Sequence, residues 1–258
     1  MDNMKTKDNG ELLNLETSLT IRRTLLENNK IAASWNNSKS ATDLLYGIET
    51  PTTEQHDSIR KEKETFCDMM YTPLIDKYFK NTHNKTFLEF GSGEGLMAKY
   101  MSHRFKKYIC VDVITDFLEL CKDMTSDCKN IEYELLENYY FTDFTVKDES
   151  VDIIISNNVF CHINYYEFII YLTKFSKLLK KEGILMFDIY NADNVDWDNE
   201  TITKHTELYK AHHILETLFH PISSLMVHKQ LTKLGLKLIY DSARSNTEAW
   251  NFLGFRKD

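Results

Sequence analysis

Residues Glu89 to Gly95 read Glu-Phe-Gly-Ser-Gly-Glu-Gly and place three of the chain's eight glycines within five positions, directly after the apolar run Thr86-Phe87-Leu88. Glycine fills no core and costs backbone entropy, so such a loop has little packing value. Its chemistry is close approach, because a molecule can lie against a backbone in which every second residue lacks a Cβ. The helix expected from about Leu96 to Phe105 would aim its free N-terminal N–H groups and partial positive charge at that molecule. Spacing narrows the ligand class. A dinucleotide fingerprint, G-x-G-x-x-G, needs a glycine where Leu96 stands. A phosphate-binding P-loop needs a Lys-Ser or Lys-Thr pair where Leu96 and Met97 stand. Neither pyrophosphate nor triphosphate is the natural reading.

The elements that must position this loop alternate along the chain. Thr86 to Phe90, Tyr108 to Val113 and Val151 to Ser156 are apolar, β-prone runs. Helical patterns separate them, including Asp116 to Asp127 with Phe117, Leu118, Leu120, Cys121 and Met124 on a helical period. Such alternation predicts βαβ units and a parallel sheet. A weaker strand fits at Ile131 to Leu136, and Val151 to Ile155, apolar on both faces, suits the centre of the sheet. Asn164 to Lys180 reads as a helix with Asn164 as N-cap and Glu167 three residues on. Gly183 then ends a turn, and Ile184 to Tyr190 is a strand. Pro221 and Ser223 open a last helix that stops at Gly235, before strands near Leu236 to Asp241 and Ala249 to Phe255. Two regions lie outside this alternation: the first 85 residues, mainly helical in pattern, and Asn191 to His220, an acidic loop followed by a helix rich in His and Tyr. Both occupy places where a cap over a sheet edge would be built.

Composition sets the outer bounds. At 258 residues the chain suits one α/β domain with additions. No apolar run approaches the roughly 18 residues of a membrane span, and Met1 to Glu16 is polar with no secretory h-region, so a cytoplasmic, membrane-free protein is expected. The formal net charge of -8 opposes loose binding to nucleic acid, and no nucleic-acid partner is expected. Five cysteines (Cys67, Cys110, Cys121, Cys128 and Cys161) without a C-x-x-C suggest neither a disulfide framework nor zinc, and most should be small buried hydrophobes.

In motif order and spacing the chain resembles the class I S-adenosylmethionine-dependent methyltransferases, of the small-molecule type. Their first motif, acid-x-Gly-x-Gly-x-Gly, is matched by Glu89-Phe-Gly91-Ser92-Gly93-Glu-Gly95. Asp112 ends the second strand 17 residues after Gly95, where that family has an acid for the two ribose hydroxyls; an ionised carboxylate can accept both. Asp148 to His162 is similar to the fourth-strand motif, Leu178 to Asp188 to the entry of the fifth strand, and Leu231 to Leu238 with Trp250 to Lys257 to the last helix and terminal strands. The resemblance covers about Lys85 to Lys257. It implies a Rossmann-like, seven-stranded, mostly parallel sheet with helices on both faces and the last strand antiparallel. A helical extension or lid over residues 1–80 would precede a donor-binding domain over 81–258, with 191–220 as an acceptor-side insertion.

The resemblance further implies S-adenosylmethionine as cofactor, held by Glu89, Gly91, Ser92, Gly93, Gly95, Asp112, Val113 and Asn157. One departure is Leu136-Glu137-Asn138-Tyr139-Tyr140-Phe141 in place of a small acidic turn near the adenine. There Asn138 could bond the adenine amine and Tyr139 stack on the ring, or both could pack under the sheet. His162, just past the fourth strand, is the candidate base, and with Trp35, Tyr46, Tyr209 and His212 it is a candidate for the acceptor pocket. The histidines around Tyr209 lack a carboxylate or cysteine at a chelating interval within the helix, so no metal is expected. Asn157 and Asn158 are not the Asn-Pro-Pro-Tyr type associated with methylation of adenine or glutamine amides. A methyl transfer to a small molecule is therefore the expected function. A noncatalytic donor-binding regulator of another enzyme and a protein or RNA methyltransferase remain as alternatives.

Overall fold

The structure, a computed structural model, describes residues 53–136, 144–194, 198, 203, 220–242 and 250–258. Two helices, α1 (Thr53–Phe66) and α2 (Thr72–Tyr78), are joined by a π-helical turn (Cys67–Tyr71). They lead into β1 (Thr86–Phe90), α3 (Leu96–Met101), β2 (Lys107–Asp112), α4 (Thr115–Met124), β3 (Ile131–Leu135), β4 (Val151–Ser156) and α5 (Tyr165–Leu178). The chain continues through β5 (Leu179–Tyr190), α6 (Ser224–Lys233), β6 (Leu236–Asp241) and β7 (Trp250–Lys257).

The strands form one seven-stranded sheet in the order β3-β2-β1-β4-β5-β7-β6. β1 to β5 pair in parallel, and β7 runs antiparallel between β5 and β6. This is the Rossmann-like sheet expected from the motifs. All six residues of β4 are buried, as a strand covered on both faces requires. After β1 the chain steps outward through β2 and β3, then returns to the other side of β1 as β4. At such a switch point the connections leave in opposite directions and open a crevice at the carboxyl ends of the strands.

Side-chain alternation divides the core into two layers. Leu88, Phe90, Ile109, Val111, Ile154, Leu185 and Phe187 pack with Phe168, Leu172 and Phe175 of α5 on one face. Phe87, Tyr108, Cys110, Ile153, Ile155 and Met186 pack on the other with Tyr71, Ile75, Met97, Met101 and Leu118. The period of two that sends Phe87, Cys110 and Met186 into the second layer sends Glu89, Asp112 and Asp188 the same way. Three acids thus lie at or near the carboxyl ends of three strands on one face.

The π-helical turn has an identifiable cause. Pro73 lacks an N–H and its ring would clash with the carbonyl of Met69 in a regular helix. The turn widens by one residue, and the Thr72 N–H donates to the Cys67 carbonyl. Cys67 and Tyr71 of this turn are fully buried.

Several expectations shift at their edges. The helix after the glycine loop stops at Met101 and tightens into a 3-10 turn over Ser102–Arg104. The helix expected to reach Lys180 ends at Leu178, because Leu179 already pairs with Val151. Lys180 then turns to Asp152, with Nζ 2.7 Å from Oδ2. Asp152 also accepts the Thr86 N–H at 2.9 Å, so it ties the starts of β1, β4 and β5 together. Cys67, Cys110, Cys121 and Cys161 are buried, Cys128 is partly so, and all are free thiols. The strand start expected at Ala249 lies outside the described residues.

Asn164 caps α5 as its position suggested, its Oδ1 accepting the N–H groups of Tyr166 at 3.1 Å and Glu167 at 3.2 Å. Asn164→Ala should therefore lower stability by about 1 kcal/mol, and Asn164→Ser should keep most of it. Urea unfolding of the three proteins checks this.

Candidate functional site

The glycine loop joins β1 to α3 in a conformation only glycine adopts readily. Gly91, Gly93 and Gly95 have φ of 76°, 52° and 82°, the left-handed region that a Cβ penalises. Two of them are also closed in by neighbours. A Cβ on Gly91 would lie 2.1 Å from Val159 Cγ2, and one on Gly95 would lie 2.6 Å from Cys121 Sγ and 3.1 Å from Cys121 Cα. The loop is therefore pinned between the segment that leaves β4 and the helix that follows β2.

The loop's own N–H groups are largely spent inside the protein. Those of Gly91 and Ser92 donate to the Val111 carbonyl at 2.8 and 3.1 Å, and that of Gly95 to the Ser92 carbonyl at 3.0 Å. Gly93 donates to Asp112 Oδ2 at 2.8 Å. Oδ1 of Asp112 takes the N–H groups of Val113 at 2.7 Å and Ile114 at 3.0 Å. Of roughly four lone-pair sites on a carboxylate, donors among the described residues fill three, which leaves one, on Oδ2, for a ligand hydroxyl. Burial raises the Asp112 carboxyl above its usual value, and the three backbone donors pull it back. The loop's contribution is thus close approach of backbone, with Asp112 as the polar contact.

Two further acids stand on the same face. Glu89 is buried and accepts the Tyr108 hydroxyl on Oε2 at 2.7 Å. Desolvation pushes its carboxyl up to about 8, against the pull of the Tyr108 bond and the Lys63 charge. Asp188, two residues before the end of β5, accepts the Asn158 N–H on Oδ1 at 2.8 Å and lies with Oδ2 3.4 Å from Asn157 Nδ2. Burial raises it to about 6. Asn158 holds its N–H there from a left-handed backbone, φ 57°, which asparagine tolerates better than most residues. From above, Lys63 of α1 donates its Nζ to Asn157 Oδ1. Tyr71 reaches in from the π-helical turn, fully buried, with no hydrogen-bond partner for its hydroxyl among the described residues.

The structure thus brings Glu89, Gly91, Ser92, Gly93, Gly95, Asp112, Val113 and Asn157 together at the carboxyl ends of β1, β2 and β4. His162 sits in a 3-10 turn (Phe160–His162) one step beyond β4, its N–H on the Val159 carbonyl at 2.9 Å. Burial and the nearby His220 lower the imidazole to about 4. It is neutral at neutral pH, with a proton affinity better suited to accepting a hydrogen bond than to holding a proton. Trp35, Tyr46, Asn138, Tyr139, Tyr209 and His212 lie outside the described residues. Sequence reasoning missed Lys63, Tyr71 and Asp188. Asp188 carried a usable signal, an acid near the carboxyl end of an apolar strand, as Glu89 and Asp112 are.

The family profile described as a methyltransferase domain matches residues 62–240. A search of the curated proteins finds no match to this sequence. Among solved structures, magnesium protoporphyrin IX methyltransferase from Synechocystis PCC 6803, with bound S-adenosylhomocysteine, is similar with a TM-score of 0.61 at 13% identity, covering 93% of this chain and 99% of that one. Geranyl diphosphate C-methyltransferase from Streptomyces coelicolor A3(2) is similar with a TM-score of 0.59 at 10% identity, covering 89% of this chain and 97% of that one. At such identities the likeness is one of fold.

Two outcomes follow from the packing and the charges. Gly95→Ala should cost about 1–2 kcal/mol for the left-handed backbone and a further loss, about 1–3 kcal/mol, for the overlap with Cys121. Cys121→Ala in the same chain should return part of the second loss, which a double-mutant cycle of thermal unfolding measures. For Glu89 the folded value lies above its usual 4.5, so ionisation weakens the fold. Wild type should match Glu89→Gln in its pH trend below about pH 4.5, then lose stability relative to it up to about pH 8, by at most about 1.4 kcal/mol per pH unit. Ligand-free melting curves across that range show whether the gap opens.

Proposed function

Because the chain belongs to the methyltransferase-domain family, as an S-adenosylmethionine-dependent enzyme of class I, we propose that it methylates a small-molecule acceptor at the crevice over β1, β2 and β4. S-adenosylmethionine supplies a methyl group already activated on a sulfonium, so what is asked of the protein is placement. Holding two reactants in near-attack geometry is worth roughly 7–11 kcal/mol.

The observation that carries the reading is the glycine loop locked onto Asp112 at the switch point. The residues present fit the donor. The open lone-pair site of Asp112 Oδ2 suits a ribose hydroxyl, and the left-handed glycines let the ligand meet backbone. The buried acids Glu89 and Asp188 suit a molecule that carries positive charge. Asn138 and Tyr139 are assigned to the adenine on the strength of their place between β3 and β4.

On the acceptor side, His162 is the candidate to receive a hydrogen bond or a proton, with Trp35, Tyr46, Tyr209 and His212 lining the pocket. Residues 1–80 form the extension over the donor domain of 81–258, and residues 191–220 the acceptor-side insertion. Two kinds of support favour a small acceptor. The net charge of -8 disfavours polyanions, and the two similar folds named above belong to methyltransferases of magnesium protoporphyrin IX and geranyl diphosphate. A cytoplasmic setting accords with free thiols and with the lack of a membrane-spanning helix among the described residues.

Titration calorimetry with S-adenosylhomocysteine tests the donor site. Wild type should bind, and Asp112→Ala should bind about 10- to 100-fold more weakly, the cost of charge-assisted hydrogen bonds. Absence of binding to wild type at high micromolar ligand would overturn the proposal. Transfer of a labelled methyl group into a metabolite extract then separates an enzyme from a noncatalytic donor-binding protein.

A further inference from the structure

We propose that the methyl acceptor is a lipophilic molecule whose apolar body lies on a rim of hydrophobic side chains around the end of β5, built by Tyr190 and Trp250 with Leu225 and Met226. The inference rests on the methyltransferase reading above and extends it to the chemical class of the acceptor.

Exposed apolar side chains are ordinary on a protein surface when they are scattered. Here they are gathered. Among the described residues the large hydrophobics that stand exposed are Met69, Tyr166, Leu225, Met226 and Trp250, and each lies toward the carboxyl edge of the sheet. Tyr166 is in the first turn of α5, and Leu225 and Met226 are in the first turn of α6; both helices run back toward the amino edge before the next strand begins. Trp250 opens β7, which is antiparallel to β5, so it starts where β5 ends. Met69 sits in the π-helical turn just before α2, which runs down toward the start of β1. The opposite edge exposes charge instead, with Lys80, Lys106, Lys147, Lys181 and Lys237 in its turns and strand starts. Apolar surface confined to one edge marks where an apolar molecule meets the protein, and this is the edge where the donor crevice opens.

Local packing gathers the rim around β5. The rings of Tyr190 and Trp250 meet edge-on with centroids 5.9 Å apart, in the same cross-strand register that sets Asp188 opposite Phe252. Tyr71 packs on Phe252 at 5.2 Å, so the aromatic wall has its foot in the core. On the other flank the Ile222 N–H donates to the Tyr190 carbonyl at 2.8 Å and the Ala192 N–H to the Ile222 carbonyl at 3.1 Å, which brings the start of α6 beside the end of β5. Asp193, the acid in this stretch, is spent on the helix itself. Its Oδ2 accepts the Ser224 hydroxyl at 3.0 Å and the Leu225 N–H at 3.2 Å. These residues therefore offer a ligand hydrocarbon surface rather than a fixed charge.

The strand period sets the reach. Asp188 and Tyr190 face the same side of the sheet, about 7 Å apart along the strand. A molecule lying on Tyr190 and Trp250 thus extends toward the crevice with one end and keeps water off the reacting atoms with its body. In the transfer an electron pair of the acceptor forms the bond to the methyl carbon as the C–S bond breaks and its pair returns to sulfur. S-adenosylhomocysteine is left, and a proton displaced from the acceptor passes to solvent.

The test uses the full chain with methyl-labelled S-adenosylmethionine and a heat-treated cell extract that retains its lipids, followed by partition between chloroform and water. Label should enter the organic phase. Trp250→Ser and Leu225→Ser should each lower that transfer about tenfold at subsaturating extract, the loss of apolar contact, and leave S-adenosylhomocysteine affinity within about threefold of wild type. Trp250→Phe should keep most of the transfer. Leu225 is 72% exposed, so Leu225→Ser is the arm that remains should Trp250→Ser fold poorly. Label confined to the aqueous phase overturns the lipophilic class and leaves the enzyme reading intact, and so does organic-phase transfer that neither substitution lowers. Wild type that binds S-adenosylhomocysteine yet labels neither phase overturns the enzyme reading, and this inference with it.

Discussion

The carboxylate of Asp112 accepts N–H groups from two stretches of chain at once, Gly93 on the loop after β1 and the Val113-Ile114 pair that leaves β2. It fixes the loop's height above the sheet, the start of α3 and the exit of β2 in one buried bond set. Gly91 and Gly95 then follow as necessities of packing, because a loop held at that height has no room for a Cβ beside Val159 or Cys121. The glycine spacing is a steric consequence of where Asp112 pins the backbone, as much as an accommodation of a ligand.

The same face carries an electrostatic tension. Glu89 and Asp188 are raised to about 8 and about 6 by burial, which means the fold keeps both carboxyls in a place where ionisation is resisted. Opposing this are Tyr108, two backbone or amide donors and one lysine from α1. A site with more buried acid than base is poised for a positively charged ligand, since each cation that enters relieves desolvated negative charge.

Much of this was legible in the sequence. The strands over Thr86–Phe90 and Val151–Ser156 fall where their apolar runs place them, and Asn164, Ser223 and Gly235 punctuate helices as their residue types suggest. The loop and Asp112 were visible because glycine and acid at strand ends are rare and local. What was hidden depends on contacts distant in sequence. Lys63 sits in Lys61-Glu62-Lys63-Glu64, where alternating charges single out no one residue, and only the docking of α1 brings it to Asn157, 94 positions away. The early end of α5 was hidden too, because pairing of Leu179 with Val151 outweighs the helical pattern that runs on to Lys180.

The π-helical turn between α1 and α2 shows how such a long-range contact can be written into the chain without any special side chain. Successive residues of an α-helix are rotated by about 100°, so the extra residue of a π turn re-phases everything before it relative to everything after it. α2 is anchored by Leu74 and Ile75 in the core. A shortening of Cys67–Tyr71 by one residue would leave that anchor in place and swing Lys63 about a quarter turn off the sheet edge. The reach of this lysine is thus encoded in a length, and a one-residue deletion that alters no site residue would unmake the contact as surely as replacing the lysine.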